Sequence, residues 1–110
     1  MLLDVSPELI ALARSGDEQA TGAFISSFLH RVEPLARSFA RSSGIDVDDL
    51  LQDVAVRMWR FREKVLWAEK PVAYSRVLAR NAMINCYRRR VRERSLVSAL
   101  VFERSGVELF

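Results

Sequence analysis

Apolar residues recur at three- and four-residue intervals along most of the chain, which is the spacing of amphipathic α-helices. Ser6 followed by Pro7 predicts the start of a short first helix over residues 7–14. Asp17 is the predicted N-cap of a long second helix, and Ser42-Ser43-Gly44 predicts its end. Pro34 predicts a kink or a local irregularity within it. One buried stripe is expected on this helix: Phe24, Phe28, Val32, Leu35 and Phe39.

Two further main helices follow. Asp46 is the predicted N-cap of the third helix, with a buried side formed by Val47, Leu50, Leu51, Val54, Ala55 and Met58. Residues 61–70 break the helical spacing and predict a connecting loop, in which Trp67 is expected to pack on the core, with exposure as the alternative. Pro71 opens the fourth helix, predicted to run to about Arg94 with Val77, Ala82, Ile84 and Val91 on its buried side.

The pattern as a whole predicts an all-α fold: a compact bundle of four main helices plus a short C-terminal helical segment. A length of 110 residues allows one domain, and half the residues are apolar, as in a folded chain. One Cys and one His exclude a disulfide framework and a zinc site of four such ligands. No apolar run is long enough to span a membrane, and the N-terminus lacks the basic start of a signal peptide. We therefore expect a cytoplasmic protein with no cofactor, no metal and no catalytic site.

Charge is divided unevenly along the chain. Residues 1–56 carry nine acids against four bases, a net charge of −5, whereas residues 57–94 carry three acids against twelve bases, a net charge of +9. Asp49, Gln52 and Asp53 fall at three- and four-residue intervals and predict an outward ridge on the third helix, continued by Val56 and Arg60. Five arginines between residues 88 and 94 are expected at a helix C-terminus, with aromatic residues nearby that could stack on bases. The two oppositely charged parts of the chain favour two partners: a polyanion for the basic part and a protein surface for the acidic part.

Three stretches carry a family resemblance: ARSGDEQATGAFISSFLHRVEPLARSFAR, DVDDLLQDVAVRMWRF and PVAYSRVLARNAMINCYRRRVR. In this order and spacing they closely resemble region 2 of the extracytoplasmic-function group of bacterial sigma factors, in the sigma-70 family. The resemblance covers about residues 12–94. Its most specific parts are the run from Asp48 to Asp53, continuing to Trp59, and the run Ala79-Arg80-Asn81 before the arginine cluster. It implies a non-enzymatic sigma factor that binds core RNA polymerase and recognises and melts the promoter minus-ten element.

The resemblance also implies two sets of contact residues. The first is expected to dock on the clamp helices of the largest polymerase subunit: Asp48, Asp49, Gln52, Asp53, Val56 and Arg60. The second is expected to hold the single-stranded non-template strand of the minus-ten element and capture a flipped base. Its members are Arg62, Lys64, Trp67, Lys70, Tyr74, Arg76, Arg80, Asn81, Arg88, Arg89, Arg90 and Arg92. An anti-sigma factor is a further partner typical of the family.

The predicted domain spans residues 1–95, and an apolar segment or start of a linker occupies residues 96–110. Full members of the family continue into a second domain, region 4, which is absent from this sequence. The sequence is therefore either one domain of a longer protein or a single-domain relative. We expect the apolar tail to cover its own domain, with an oligomer contact or an absent partner as the alternatives: its apolar residues are Leu96, Leu100, Val101, Phe102, Val107, Leu109 and Phe110.

Two other functions stay open. A degenerate sigma-like module could bind a protein regulator without melting promoters. This interpretation is favoured by Tyr74, where the family commonly has Trp, and by Asn85, where aspartate is usual. A general single-strand binder is the second alternative, and it leaves the acidic ridge without a purpose.

Overall fold

The structure, a computed structural model, describes residues 5–105. It contains five α-helices: α1 (Pro7–Arg14), α2 (Glu18–Ser43), α3 (Val47–Arg60), α4 (Arg62–Leu66) and α5 (Pro71–Ser105). The described residues include no β-strand, so the predicted all-α bundle is confirmed. None of the helices in this part of the chain combines the length and apolar character needed to cross a membrane.

The helix starts lie where the sequence predicts them because short polar side chains satisfy free backbone N–H groups there. Ser6 accepts a hydrogen bond from the Leu9 amide at 3.1 Å, and Asp17 accepts one from the Ala20 amide at 2.9 Å. Asp46 caps α3 by accepting from the Asp48 amide at 2.8 Å. At the end of α2, Gly44 takes a left-handed conformation with φ of 73°, which glycine adopts without steric cost.

The core lies where α2 packs between α1 and α3, and where α5 crosses α3 and α2. α2 continues through Pro34 as one helix. Its predicted stripe is buried at Phe24, Phe28 and Val32, but Leu35 is exposed. The largest side chains with almost no exposure come from four helices: Phe24, Phe28, Leu50, Met58, Val54, Val65 and Ser75.

The fourth main helix, α5, is longer than the sequence predicted. It runs to Ser105 rather than ending near Arg94, so the arginine cluster lies in mid-helix and not at a C-terminus. The predicted domain boundary at residue 95 falls inside this continuous helix. Two residues assigned to its buried side, Val77 and Val91, are exposed, because they lie on other sides of α5 than the one that packs on the bundle. The other two predicted residues are confirmed in part, since Ala82 is buried and Ile84 is half-buried. The buried residues of α5 are Ser75, Ala79, Ala82, Met83 and Cys86.

The C-terminal part of α5 projects from the bundle, and the structure is 63 Å along its longest axis against 26 and 21 Å across. Leu96, Leu100, Val101 and Phe102 are all exposed. The expectation that the tail covers its own domain is therefore wrong for the described residues. Val107, Leu109 and Phe110, also assigned to that tail, lie outside the described residues.

The predicted loop over residues 61–70 is only partly a loop, because residues 62–66 form the short helix α4. Val65 and Leu66 point into the core and anchor it between α1, α3 and α5. Trp67 follows immediately and is 66% exposed, so the expectation that it packs on the core is wrong.

Candidate nucleic-acid interface

The solvent-facing side of α5 carries a stripe of polar and aromatic residues that we call the α5 stripe. Tyr74, Asn81 and Arg88 are spaced by seven residues, and Asn85 and Arg92 continue the same side at four-residue steps. All five are exposed, while the opposite side of the helix is packed on the core. The stripe therefore presents an aromatic ring, two amides and two guanidinium groups along one line of solvent-facing positions.

One end of the α5 stripe borders a cavity of about 250 Å³. Tyr74 and Asn81 come from α5, and Phe61 follows α3 directly. Two cations, Arg57 and Lys64, lie at the same cavity, with Val77 and Leu78 completing its wall. Two aromatic rings, an amide and flanking cations are the groups that proteins use to stack on and hydrogen-bond an unstacked base.

The other end of the stripe borders a larger cavity of about 690 Å³. Arg57 lines this cavity as well as the first one, so it links the two. The larger cavity is lined by Arg57, Asn85, Tyr87, Arg88, Arg89, Val91 and Arg92. Four guanidinium groups around one depression form a site suited to phosphate groups.

The predicted set of DNA contacts did not include Arg57, Phe61 or Asn85, although Phe61 is one of the aromatic residues near the basic segment. Arg57 and Phe61 are four residues apart at the end of α3, and that spacing is the one signal that places them on a common side. Their position beside α5 depends on how α3 and α5 cross, which no local pattern encodes.

The predicted ridge exists on α3, but it does not stand apart from the basic helix. Asp49, Gln52 and Val56 are exposed, and Asp53 is only partly exposed. They line a cavity of about 420 Å³ together with Cys86, Arg89, Arg90 and Glu93 of α5. The ridge is therefore one wall of a groove whose other wall carries two arginines. The sequence predicted an outward ridge, whereas in the structure the ridge faces α5 across this groove.

Ion pairs cross that groove. The Arg89 Nη2 atom lies 3.5 Å from Asp53 Oδ1, and the Arg90 Nη2 atom lies 3.8 Å from Asp49 Oδ2. Arg57 approaches Asp53 Oδ2 at 3.8 Å within α3, yet that buried oxygen has no hydrogen bond among the described residues. A hydrogen bond with the Cys86 side chain, followed by the charge of Asp53, raises the pKa of Arg89. Because arginine is already protonated at neutral pH, this shift leaves its charge unchanged.

The arginine cluster is thus divided between two sides of α5. Arg89 and Arg90 lie against the ridge carboxylates, although Arg89 also reaches the larger cavity. Arg88 and Arg92 belong to the α5 stripe and have no acidic partner in the described part of the chain. The sequence predicts that all four arginines contact DNA. The structure divides them into two pairs that lie on different sides of α5.

Cation–π contacts hold the residues at the start of α4. The Arg62 guanidinium lies 4.4 Å from the centroid of the Trp59 ring and donates a hydrogen bond to the Trp59 carbonyl at 2.9 Å. The Lys64 ammonium lies 5.8 Å from the Phe61 ring centroid. Arg62 is therefore engaged in closing the end of α3, while Lys64 stays exposed beside the smaller cavity.

Trp67 is positioned by a residue of α1. The Arg14 guanidinium lies 5.2 Å from the Trp67 ring centroid and donates hydrogen bonds to the carbonyls of Leu66 and Ala68. Arg14 thus fixes the connection between α4 and α5 and leaves the tryptophan ring largely exposed to solvent. A contact across more than fifty residues has no signature in the sequence.

The remaining predicted contact residues are exposed but are not gathered into the cavities described above. Asp48 and Arg60 lie on α3 outside the lining of the groove, and Lys70 precedes α5. Arg76 and Arg80 are four residues apart on a neighbouring side of α5 from the stripe. Among residues 5–105, no group of three or more His, Cys, Asp or Glu side chains is arranged to hold a metal ion.

Comparison with known proteins gives one family. The family model of sigma-70 region 2 matches residues 24–93, which is more than half of the chain. The match begins in α2 and ends in α5 just beyond Arg92, so it includes the ridge, the α5 stripe and both basic cavities. No curated protein and no solved structure matches the chain significantly.

Proposed function

Because this chain belongs to the sigma-70 region 2 family, with that family's role in RNA polymerase binding and promoter recognition, we propose that it melts the promoter minus-ten element and holds its non-template strand. The family's role in transcription initiation is non-enzymatic, so bond formation is left to the polymerase. The finer steps proposed here are base capture, strand retention and docking on the polymerase clamp helices.

Base capture is assigned to the cavity of about 250 Å³ beside α4. Tyr74 and Phe61 offer ring faces, Asn81 offers both a donor and an acceptor, and Lys64 supplies positive charge. Unstacking a base costs a few kcal/mol, least at weak steps, and stacking on an aromatic ring returns about 1–3 kcal/mol per base. A pocket of this composition therefore offsets the cost of opening an AT-rich element.

Strand retention is assigned to Arg88 and Arg92. Their guanidinium groups lie on the same solvent-facing side of α5 as Tyr74 and Asn81, and Arg57 joins the two cavities from α3. When a base is bound at the smaller cavity, the phosphates next to it in the strand lie close to the row of guanidinium groups formed by Arg57, Arg88 and Arg92. Phosphate contacts of this kind set position and affinity rather than sequence preference.

Polymerase docking is assigned to the ridge formed by Asp49, Gln52, Asp53 and Val56. The Asp49 carboxylate meets Arg90 in an exposed ion pair, and the less exposed Asp53 carboxylate meets the exposed Arg89. Such pairs contribute only about 0–1 kcal/mol, so a polymerase surface can replace them at little cost. The exposed Val56 adds an apolar contact to the polar ridge.

The observation that carries this proposal is the continuity of the α5 stripe with both basic cavities through Arg57. An aromatic pocket followed by a row of guanidinium groups fits a single strand better than it fits a protein surface.

Promoter opening can be tested with the full chain and core polymerase. DNA retained by the complex is selected from random duplexes, and unpaired thymines are detected by permanganate reactivity. We expect retention of AT-rich elements with reactive thymines, and loss of that reactivity in Tyr74→Ala with Asn81→Ala while the chain still co-purifies with polymerase. Selected DNA that stays fully paired would contradict the melting function.

A further inference from the structure

Residues 91–103 of α5 are called here the distal segment, and each of its positions is exposed. Val91, Arg92 and Glu93 at its start line cavities shared with α3, whereas residues 95–103 line none of the cavities described above. Four apolar residues form a stripe along it. Leu96 is 67% exposed, Val97 59%, Leu100 50% and Val101 59%. Their spacing of one, three and one residues keeps them on one side of the helix. Most helical stability in proteins comes from packing an amphipathic face. Because this apolar stripe packs on nothing within the described part of the bundle, a partner that covers it would stabilise the helix.

The sequence around the stripe is symmetric about the point between Ser98 and Ala99. Leu96 and Val101 lie at equal distances from that point, and so do Val97 and Leu100. A second copy laid antiparallel on this stripe would therefore place apolar residues opposite apolar residues along its length. A parallel copy would also place apolar residues together, each beside its own equivalent, so the direction is decided by the charges at the ends of the stripe.

The charges at the ends of the stripe fit the antiparallel arrangement. Arg92 is four residues before Leu96, and Glu103 is seven residues after it, so both lie on the edge of the stripe that Leu96 marks. In an antiparallel pair the equivalent edges meet, which brings Arg92 of one copy towards Glu103 of the partner subunit.

We propose that the distal segment is a homodimerisation surface, on which a second copy of this chain packs its own distal segment antiparallel. The arrangement puts the two helical bundles at opposite ends of the paired helices, where they do not collide. A parallel pair would set two bundles side by side and would place residues 57–94, with a net charge of +9, next to their equivalents. The proposal does not depend on promoter binding.

The contact is small. About three helical turns on each copy meet, which falls below the roughly 1,200 Å² of total buried area found in standard stable interfaces. The dimer is therefore reversible and dissociates on dilution, and its population is set by protein concentration.

The test is sedimentation equilibrium of the full chain over a wide range of concentration. We expect a monomer–dimer equilibrium that shifts to monomer in Val97→Glu with Leu100→Glu, because carboxylates then face each other at the centre of the stripe. Leu35→Glu is the matched control, since Leu35 is 52% exposed on α2, and it should leave the equilibrium unchanged. A wild-type chain that is monomeric throughout would overturn the proposal, and so would a dimer that survives the double substitution or is lost in the control.

Charge exchange tests the antiparallel direction. Arg92→Glu alone and Glu103→Arg alone should each shift the equilibrium towards monomer, and the two together should restore it, because each charge then meets its opposite on the partner subunit. Absence of this rescue would overturn the antiparallel arrangement. Circular dichroism of each variant confirms that the bundle is folded, as expected for changes at exposed positions.

Discussion

Replacing Arg88 and Arg92 with alanine removes two guanidinium groups from the α5 stripe. Both residues are exposed, and neither has an acidic partner in the described part of the chain. Arg89 and Arg90, in the same cluster, lie 3.5 and 3.8 Å from ridge carboxylates. The structure therefore predicts that two pairs of arginines with the same charge have different effects on nucleic-acid binding.

The size of the effect follows from counterion release. Each phosphate contact to a single strand contributes about 0.7 to the slope of log affinity against log salt, so losing two contacts should flatten the slope by about 1.4. At about 0.1 M salt this corresponds to roughly 25-fold weaker binding. Alanine at positions 89 and 90 should flatten the slope by less than half as much, because the ridge carboxylates already partly neutralise those two arginines.

The assay is fluorescence anisotropy of a labelled, AT-rich single-stranded oligonucleotide titrated with each variant at several KCl concentrations. Arg37→Ala with Arg41→Ala is the control for net charge, since both are exposed on α2 with the same four-residue spacing, and Arg37 is paired with Glu33 at 2.7 Å. That control should keep the wild-type slope. Equal slopes for the 88/92 and 89/90 variants would refute the division of the cluster, and a control that flattens the slope equally would show a response to net charge alone.

Three further changes test the core, the base pocket and the connection between α4 and α5. Phe28→Ala should lower the free energy of unfolding by roughly 3–5 kcal/mol in urea denaturation, against less than about 0.5 kcal/mol for the exposed Leu35→Ala, and equal losses would contradict the packing of α2. Tyr74→Ala should weaken oligonucleotide binding by about 1–3 kcal/mol while Tyr74→Phe retains most of it, and an equal loss in both would argue against ring stacking. Arg14→Ala should lower the free energy of unfolding by roughly 1–3 kcal/mol, because the carbonyls of Leu66 and Ala68 lose their donor; unchanged stability would contradict that role.

Local signals in the sequence predicted the helix starts correctly. Ser6, Asp17 and Asp46 cap helices through contacts within three residues, and Gly44 ends α2 through its own backbone conformation. These features depend on neighbours in the chain and on no tertiary contact, so a sequence pattern is sufficient to find them.

The end of α5 was misplaced because the arginine cluster was interpreted as a helix C-terminus. Charge favours a helix end only weakly, and the sequence contains no glycine or proline between Pro71 and Gly106 that would stop the helix. The absence of a helix breaker was the stronger signal.

The site was predicted in part. The ridge on α3 and the basic character of α5 follow from spacing within one helix, and the structure places both on the expected helices. Their meeting in one groove, the shared position of Arg57 and the exposure of Trp67 beside Arg14 depend on contacts between helices. Helix crossing geometry has no local code, so these features could not be found without the structure.

The most direct test of the proposed function is binding of the full chain to an isolated clamp-helix fragment of the largest polymerase subunit. Asp49→Ala with Gln52→Ala should abolish binding and leave thermal stability nearly unchanged, since Asp49 is exposed and its ion pair contributes only about 0–1 kcal/mol. Glu18→Ala with Gln19→Ala removes the same two chemical groups from exposed positions of α2 and should bind as the wild type does. If the wild-type chain shows no binding, or if the ridge variant binds as tightly as the control, the assignment of the ridge to polymerase is wrong.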